Sequence, residues 1–227
     1  MPMSQSYSSK RWSFLFVIVL LIAFAVRLYK LNSPLWLDEL YGYRLAKLGF
    51  EAIIQNSWID PHPPLFNILQ WAIGLEKYQN EILWRLIPLS SGMLTIVFIG
   101  IITKETINPF ASIVICLTAA TLPSLVFYSQ EARPFALLIF LASLSMWLTI
   151  TIIRNPLVHR LWIGWTVVSL LGLFTGYAYL MVAFSQLAFL GLYNYRRAHW
   201  WIVLVIIISG WGNFKKHKIF RLYFKKK

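Results

Sequence analysis

Residues 65–75 read LFNILQWAIGL, and the reading of this short apolar run decides the fold. A helix rises about 1.5 Å per residue, so a run of this length covers roughly half of the ~30 Å of hydrocarbon that a membrane span must cross. The other apolar runs are longer: 12–29, 83–103, 110–127, 135–153, 161–174, 177–195 and 200–211. Charge resolves the ambiguity. If 65–75 does not cross, Lys10, Arg11, Lys104, Arg154, Arg160, Arg196 and Arg197 all share the side on which the chain starts. The excess of basic residues on cytoplasmic loops makes that side cytoplasmic. If it crosses, Arg154, Arg160, Arg196 and Arg197 move outside, against that rule. The non-crossing topology is therefore adopted. It gathers Asp38, Glu39, Glu51, Asp60, Glu76, Glu81 and Glu131 on the outer side, leaving Glu105 as the one acid inside. His62 and Arg133 also fall outside.

Composition agrees with a membrane protein. Of 227 residues, 59% are apolar and 13% charged, and the mean hydropathy is +0.64. These values exclude an ordinary soluble domain. The long unbroken runs exclude the short alternating segments of a transmembrane barrel. The expected fold is all-α: a polytopic bundle of about seven transmembrane helices. Lys10 and Arg11 precede the first run, which reads as an uncleaved span rather than a signal peptide. The single cysteine, Cys116, lies within an apolar run and is expected to pack, with no disulfide frame.

The net charge of +13 is not one field. Seven basic residues crowd the last thirteen positions, and without them the excess falls to +6. Two regions are expected: a membrane module over 1–212 and a disordered basic tail over 213–227. The tail suits anionic lipid, and no nucleic-acid motif accompanies it.

Between about 30 and 82 the outer loop has a pattern of its own. Leu37, Leu40, Tyr41, Leu45 and Leu48 recur at helical spacing, with Asp38, Glu39 and Arg44 off that face. This predicts an amphipathic helix on the outer surface, with Trp36, Tyr41, Tyr43 and Trp58 suited to the headgroup zone. Residues 65–75 would be a second interfacial or re-entrant piece.

Ionisable groups near a bilayer are costly and mark candidate sites. Asp38 and Glu39 are adjacent, so on a helix they point about 100° apart. One is placed to act as general base while the other orients a basic group or binds a metal. The competing reading is an N-terminal helix cap. In Asp60-Pro61-His62-Pro63-Pro64 the prolines fix an extended backbone and aim His62; the competing reading is a rigid turn. In Tyr128-Ser129-Gln130-Glu131-Ala132-Arg133-Pro134, Arg133 either pairs with Glu131 or grips a phosphate. Arg85 either grips a phosphate or snorkels to the interface.

Taken in order, these segments resemble the amino-terminal half of glycosyltransferase family 39. The residues are Leu35-Trp36-Leu37-Asp38-Glu39, Asp60-Pro61-His62-Pro63-Pro64-Leu65, Arg85-Leu86 and Tyr128 through Phe135. That family includes the dolichyl-phosphate-mannose protein mannosyltransferases and their bacterial relatives, of the membrane-embedded GT-C class. The resemblance covers about residues 10 to 195. It implies a GT-C-like fold and transfer of a sugar from a polyprenyl-phosphate donor to a protein or lipid acceptor, on the outer face of a bacterial-type inner membrane. It also implies that Asp38 is the base for the acceptor hydroxyl, with Glu39 beside it at the active centre. His62, Arg85, Glu131 and Arg133 would form the donor and acceptor cleft. A divalent metal is left open.

The chain departs from the family in length, since relatives run to several hundred residues. It also departs at Thr175-Gly176-Tyr177, where bacterial relatives often place a histidine after the threonine. Two other expectations therefore stand beside the transferase. One is a truncated or degenerate homologue without activity. The other is a transporter or channel subunit, which would place ionisable residues near mid-bilayer.

Overall fold

The computed structural model describes residues 3–29, 31–57, 62–77 and 80–193. Trp58, Asp60, Arg196, Arg197, the run 200–211 and the basic tail lie outside the described residues. Among the described residues all regular structure is helical. The helices are α1 (Met3–Leu28), α2 (Leu37–Leu48), α3 (Phe50–Asn56), α4 (Leu65–Ala72), α5 (Glu81–Trp84), α6 (Leu86–Thr106), α7 (Pro109–Thr121), α8 (Pro123–Ser129), α9 (Phe135–Arg154), α10 (His159–Thr175) and α11 (Tyr179–Tyr193).

Three stretches are long and apolar enough to cross a membrane: Lys10–Leu28, Leu86–Thr106 and Phe135–Arg154. A fourth candidate is α7 with α8, bent by 60°. The sequence reading took 110–127 as one run. Pro123 breaks it, because proline has no N–H to donate and disfavours helical backbone at the residue before it. Leu122 is accordingly extended, at φ −62° and ψ 119°. Local signals start the neighbouring helices. The Asn108 side chain accepts from the Ala111 N–H at 2.8 Å ahead of α7, and Asn80 accepts from the Ile82 N–H at 3.0 Å ahead of α5. Gly49, at φ +92°, turns the chain between α2 and α3 in a conformation that L side chains rarely adopt.

Helix packing relies on small residues, which let backbones approach. A side-chain carbon on Gly100 of α6 would stand 2.5 Å from Phe16 of α1 and 3.2 Å from Cys116 of α7. Cys116 is fully buried in that seam with Phe16, Val19, Ala23 and Ile96, and so packs as its sequence context predicts. On the other side of the bundle, polar side chains join α9, α10 and α11. Trp165 Nε1 donates to Thr149 Oγ1 and Gln186 Oε1, both at 2.9 Å, and Gln186 Nε2 donates to Ser145 Oγ at 3.0 Å.

Both ends of the bundle are marked by contacts. At one end the Lys104 ammonium stands 3.7 Å over the Trp12 ring, and Arg154 pairs with Glu105 at 2.6 Å. At the other end Gln130 Nε2 donates to the last carbonyls of α1, reaching that of Tyr29 at 2.6 Å. Arg85, immediately before α6, donates to the Leu31 carbonyl at 2.8 Å. The chain therefore leaves α1 and enters α6 at the same end, and everything between folds back there. The run 65–75 forms the eight-residue α4 and a following 3-10 turn, Leu75–Lys77. In a membrane this geometry predicts one outcome for thiol labelling, with Cys116 replaced. Cysteines at the exposed positions Gln55 and Asn80 should both react with an impermeant reagent, and one at Asn155 only after permeabilisation. Reaction at position 55 without position 80 would show that α4 crosses.

The amphipathic helix α2 forms, but most of its apolar stripe is exposed. Leu37 and Leu48 are 78% and 73% exposed, whereas Glu39, Gly42, Leu45 and Ala46 are buried. Gly42 meets Asn67 and Gln70 of α4, and of the large apolar residues in the stripe Leu45 alone is buried.

Candidate functional site

Two adjacent carboxylates have opposite environments. Glu39 is 1% exposed. Its Oε1 accepts from Arg85 Nε at 3.0 Å and from the Ala132 N–H at 2.6 Å. Its Oε2 accepts from Arg85 Nη2 at 2.7 Å and from the Trp36 N–H at 3.2 Å. Arg85, 3% exposed, has further donors on the Leu31 and Ser33 carbonyls, both at 2.8 Å, and on Ser33 Oγ at 3.1 Å. This pair ties together the chain after α1, the start of α2, the start of α6 and the loop before α9. Such a bidentate pair is specific in geometry as well as strong.

The roles expected of Glu39 as a catalytic carboxylate and of Arg85 as a substrate ligand do not fit this geometry. Both groups are saturated by protein partners and closed off from open space. Arg85 does not snorkel either, because its head points inward. Glu39 instead orients Arg85 and closes the first turn of α2, so in this structure the pair holds the surrounding loops together.

Asp38 points away from that staple. Its Oδ2 lies 2.9 Å from Arg133 Nη1, and its side chain is 46% exposed. Arg133 therefore pairs across the loop with Asp38 rather than with its near neighbour Glu131. Its guanidinium stands 4.9 Å over the Phe135 ring. His62 meets the same ring edge-on, with centroids 5.8 Å apart. Phe135, at the first turn of α9, thus holds both basic groups at one place. Asp38, His62, Arg133 and Asn67 line a cavity of about 360 Å3, which is within the range of small-molecule sites. A second cavity of about 160 Å3 lies beyond His62 and Pro134. It is lined by Leu138, Thr175 and Tyr177 among others, so the Thr175-Gly176-Tyr177 turn belongs to the same region.

Glu131 is buried at 6% exposure beside the cavity but does not line it. Desolvation pushes its carboxyl above the usual range, the Arg133 charge opposes this, and the carboxylates of Glu39 and Asp38 add to it. A raised folded-state pKa means that the folded chain holds the proton more tightly than the unfolded chain. Stability from this group is full below the unfolded value and is lost as pH rises through the folded one. Glu131→Gln should therefore raise thermal stability at neutral pH and flatten its decline over that interval. An unchanged pH profile would show that the carboxyl is not desolvated.

The sequence reading missed Arg27. It is fully buried in the last turn of α1, donating to Ser129 Oγ at 3.1 Å and to the Ala120 carbonyl at 2.9 Å. The available signal was a lone arginine near the end of an otherwise apolar run, with Ser129 in the Tyr128–Pro134 segment already singled out. Among the described residues no three His, Cys, Asp or Glu side chains gather as a metal centre. Comparisons with protein families, with curated proteins and with solved structures return no match.

Proposed function

We propose that the chain is a membrane glycosyltransferase of the GT-C kind. It moves a sugar from a polyprenyl-phosphate donor to a hydroxyl of a protein or lipid acceptor at the outer face of a bacterial-type inner membrane. The amino terminus is cytoplasmic and the bundle has about seven spans. The observation that carries this reading is the Asp38–Arg133 pair, opening onto the larger cavity at one end of the bundle.

The pair suits the chemistry. A lipid-linked donor lies in the bilayer with its phosphate at the interface. Arg133 exchanges the Asp38 carboxylate for that phosphate, and the freed carboxylate accepts the proton of the acceptor hydroxyl. The bond from the anomeric carbon to the phosphate oxygen breaks, the bond to the acceptor oxygen forms, and the polyprenyl phosphate leaves against the guanidinium. His62 lies between the two cavities, where it can contact either substrate.

The placement of charge favours this over a transporter. In the span-length helices the ionisable side chains Lys10, Arg11, Arg27, Lys104, Glu105 and Arg154 sit in the terminal turns rather than at mid-length. If Arg133 holds the phosphate, Arg133→Lys keeps the charge but loses the planar fork. Affinity for a polyprenyl-phosphate sugar should then fall by about tenfold, the worth of one charge-assisted hydrogen bond. Equal affinity of the two proteins would remove Arg133 from the donor site.

A further inference from the structure

Two amides near the cavity are not used by any contact described above. Asn67 and Gln70 lie three residues apart on α4 and so share one face of that helix. That face meets α2 at Gly42. A side-chain carbon built on Gly42 would stand 3.4 Å from Asn67 Oδ1 and 3.6 Å from Gln70 Oε1. Both amide oxygens thus converge on bare backbone, and Gly42 and Asn67 belong to the wall of the Asp38 cavity.

Gln70 is 1% exposed. Its Nε2 faces the Trp84 carbonyl at 3.5 Å, which sets the orientation of the amide, since the oxygen would be repelled there. Its Oε1 has no hydrogen-bond partner. A buried acceptor without a donor is unfavourable, and the cavity-wall residue beside it, Gly42, carries no side chain.

We propose that Gln70 and Asn67 form a hydroxyl-binding subsite in the floor of the Asp38 cavity, reached across Gly42, which takes the sugar of the ligand. The chemistry selects the ligand class. An ionised phosphate diester and an alkyl chain bring no donors to an orphaned oxygen, whereas a sugar brings several hydroxyls. A cation is disfavoured because, among the described residues, the carboxylate that lines the cavity, that of Asp38, is already paired with Arg133. The subsite rests on the transferase reading and adds to it the part of the site that distinguishes a sugar-bearing lipid from a bare one.

The test uses the full chain in lipid nanodiscs. Affinity is measured for undecaprenyl phosphate carrying glucose, mannose or arabinose, and for bare undecaprenyl phosphate. The wild-type protein should prefer at least one sugar-bearing lipid. Gln70→Leu should cut that preference by about threefold to tenfold, the worth of one hydrogen bond, with affinity for the bare lipid unchanged. Gly42→Ala places a methyl against both amide oxygens at van der Waals distance and should act in the same direction. If Gln70→Leu does not fold, Asn67→Ala, at the cavity wall, carries the same expectation. Preference retained in these variants, or an equal loss for both lipids, overturns the subsite while leaving the transferase reading in place. A wild-type protein that binds neither lipid overturns both.

Discussion

Arg85→Met is expected to destabilise the protein by about 3–5 kcal/mol, because it leaves the Glu39 carboxylate buried without its counter-charge. The effect should reach beyond the pair. Arg85 also satisfies the Leu31 and Ser33 carbonyls, and Glu39 holds the Ala132 N–H, so the loop before α9 loses its anchor. Replacing both partners, Glu39→Leu with Arg85→Met, should not restore stability. In many buried pairs an apolar exchange is neutral, but here it orphans several backbone groups, each worth about 1–3 kcal/mol when buried and unmade. Thermal unfolding of the purified protein in detergent checks this. A double variant as stable as the wild type would show that the pair does not organise the loops.

Asp38→Asn should behave in the opposite way. Its ion pair with Arg133 is half exposed, and such pairs contribute about 0–1 kcal/mol, so folding should be nearly unchanged. If it is the proposed base for the acceptor hydroxyl, however, the carboxylate should contribute about 10²–10⁴-fold to rate. The asparagine keeps the shape and loses the proton acceptor. Neighbouring acids on one helix turn are thus expected to separate cleanly: position 39 governs stability and position 38 governs turnover. A loss of folded protein in Asp38→Asn matching that in Arg85→Met would return Asp38 to a capping role.

The divergence of Asp38 and Glu39 was legible in the sequence, since neighbours on a helix cannot share a direction. Which of the two faced inward was not, because that depends on Arg85, 46 positions away. Similarly, Glu131 and Arg133 suggested a local pair, but the tertiary approach of α2 brought Asp38 to the arginine instead. That 65–75 is too short for a spanning helix was legible in its length, and in the structure the run forms the eight-residue α4 and a 3-10 turn. The break at Pro123 was readable from one residue and was overlooked because hydropathy runs on through it. For α2 the spacing of apolar residues predicted the helix correctly, but not which stripe would be buried. In water a large apolar face usually goes inward, whereas here Gly42 and Ala46 are buried with Leu45 while Leu37, Leu40, Tyr41 and Leu48 stay exposed. Gln70 gave no sequence signal at all, because an unmade hydrogen bond exists only once Trp84 and Gly42 surround it.

The central claim is that the Asp38 cavity transfers sugar from a lipid-linked donor. The most direct test is single-turnover transfer of radiolabelled sugar from polyprenyl phosphate, using the full chain in nanodiscs with a membrane extract as acceptor source. Equal amounts of folded wild-type and Asp38→Asn protein are compared. The account predicts labelled acceptor with the wild type, and a rate about 10²–10⁴-fold lower with the variant. Transfer at the same rate by both proteins, or none by a wild-type protein that binds the donor, would contradict it.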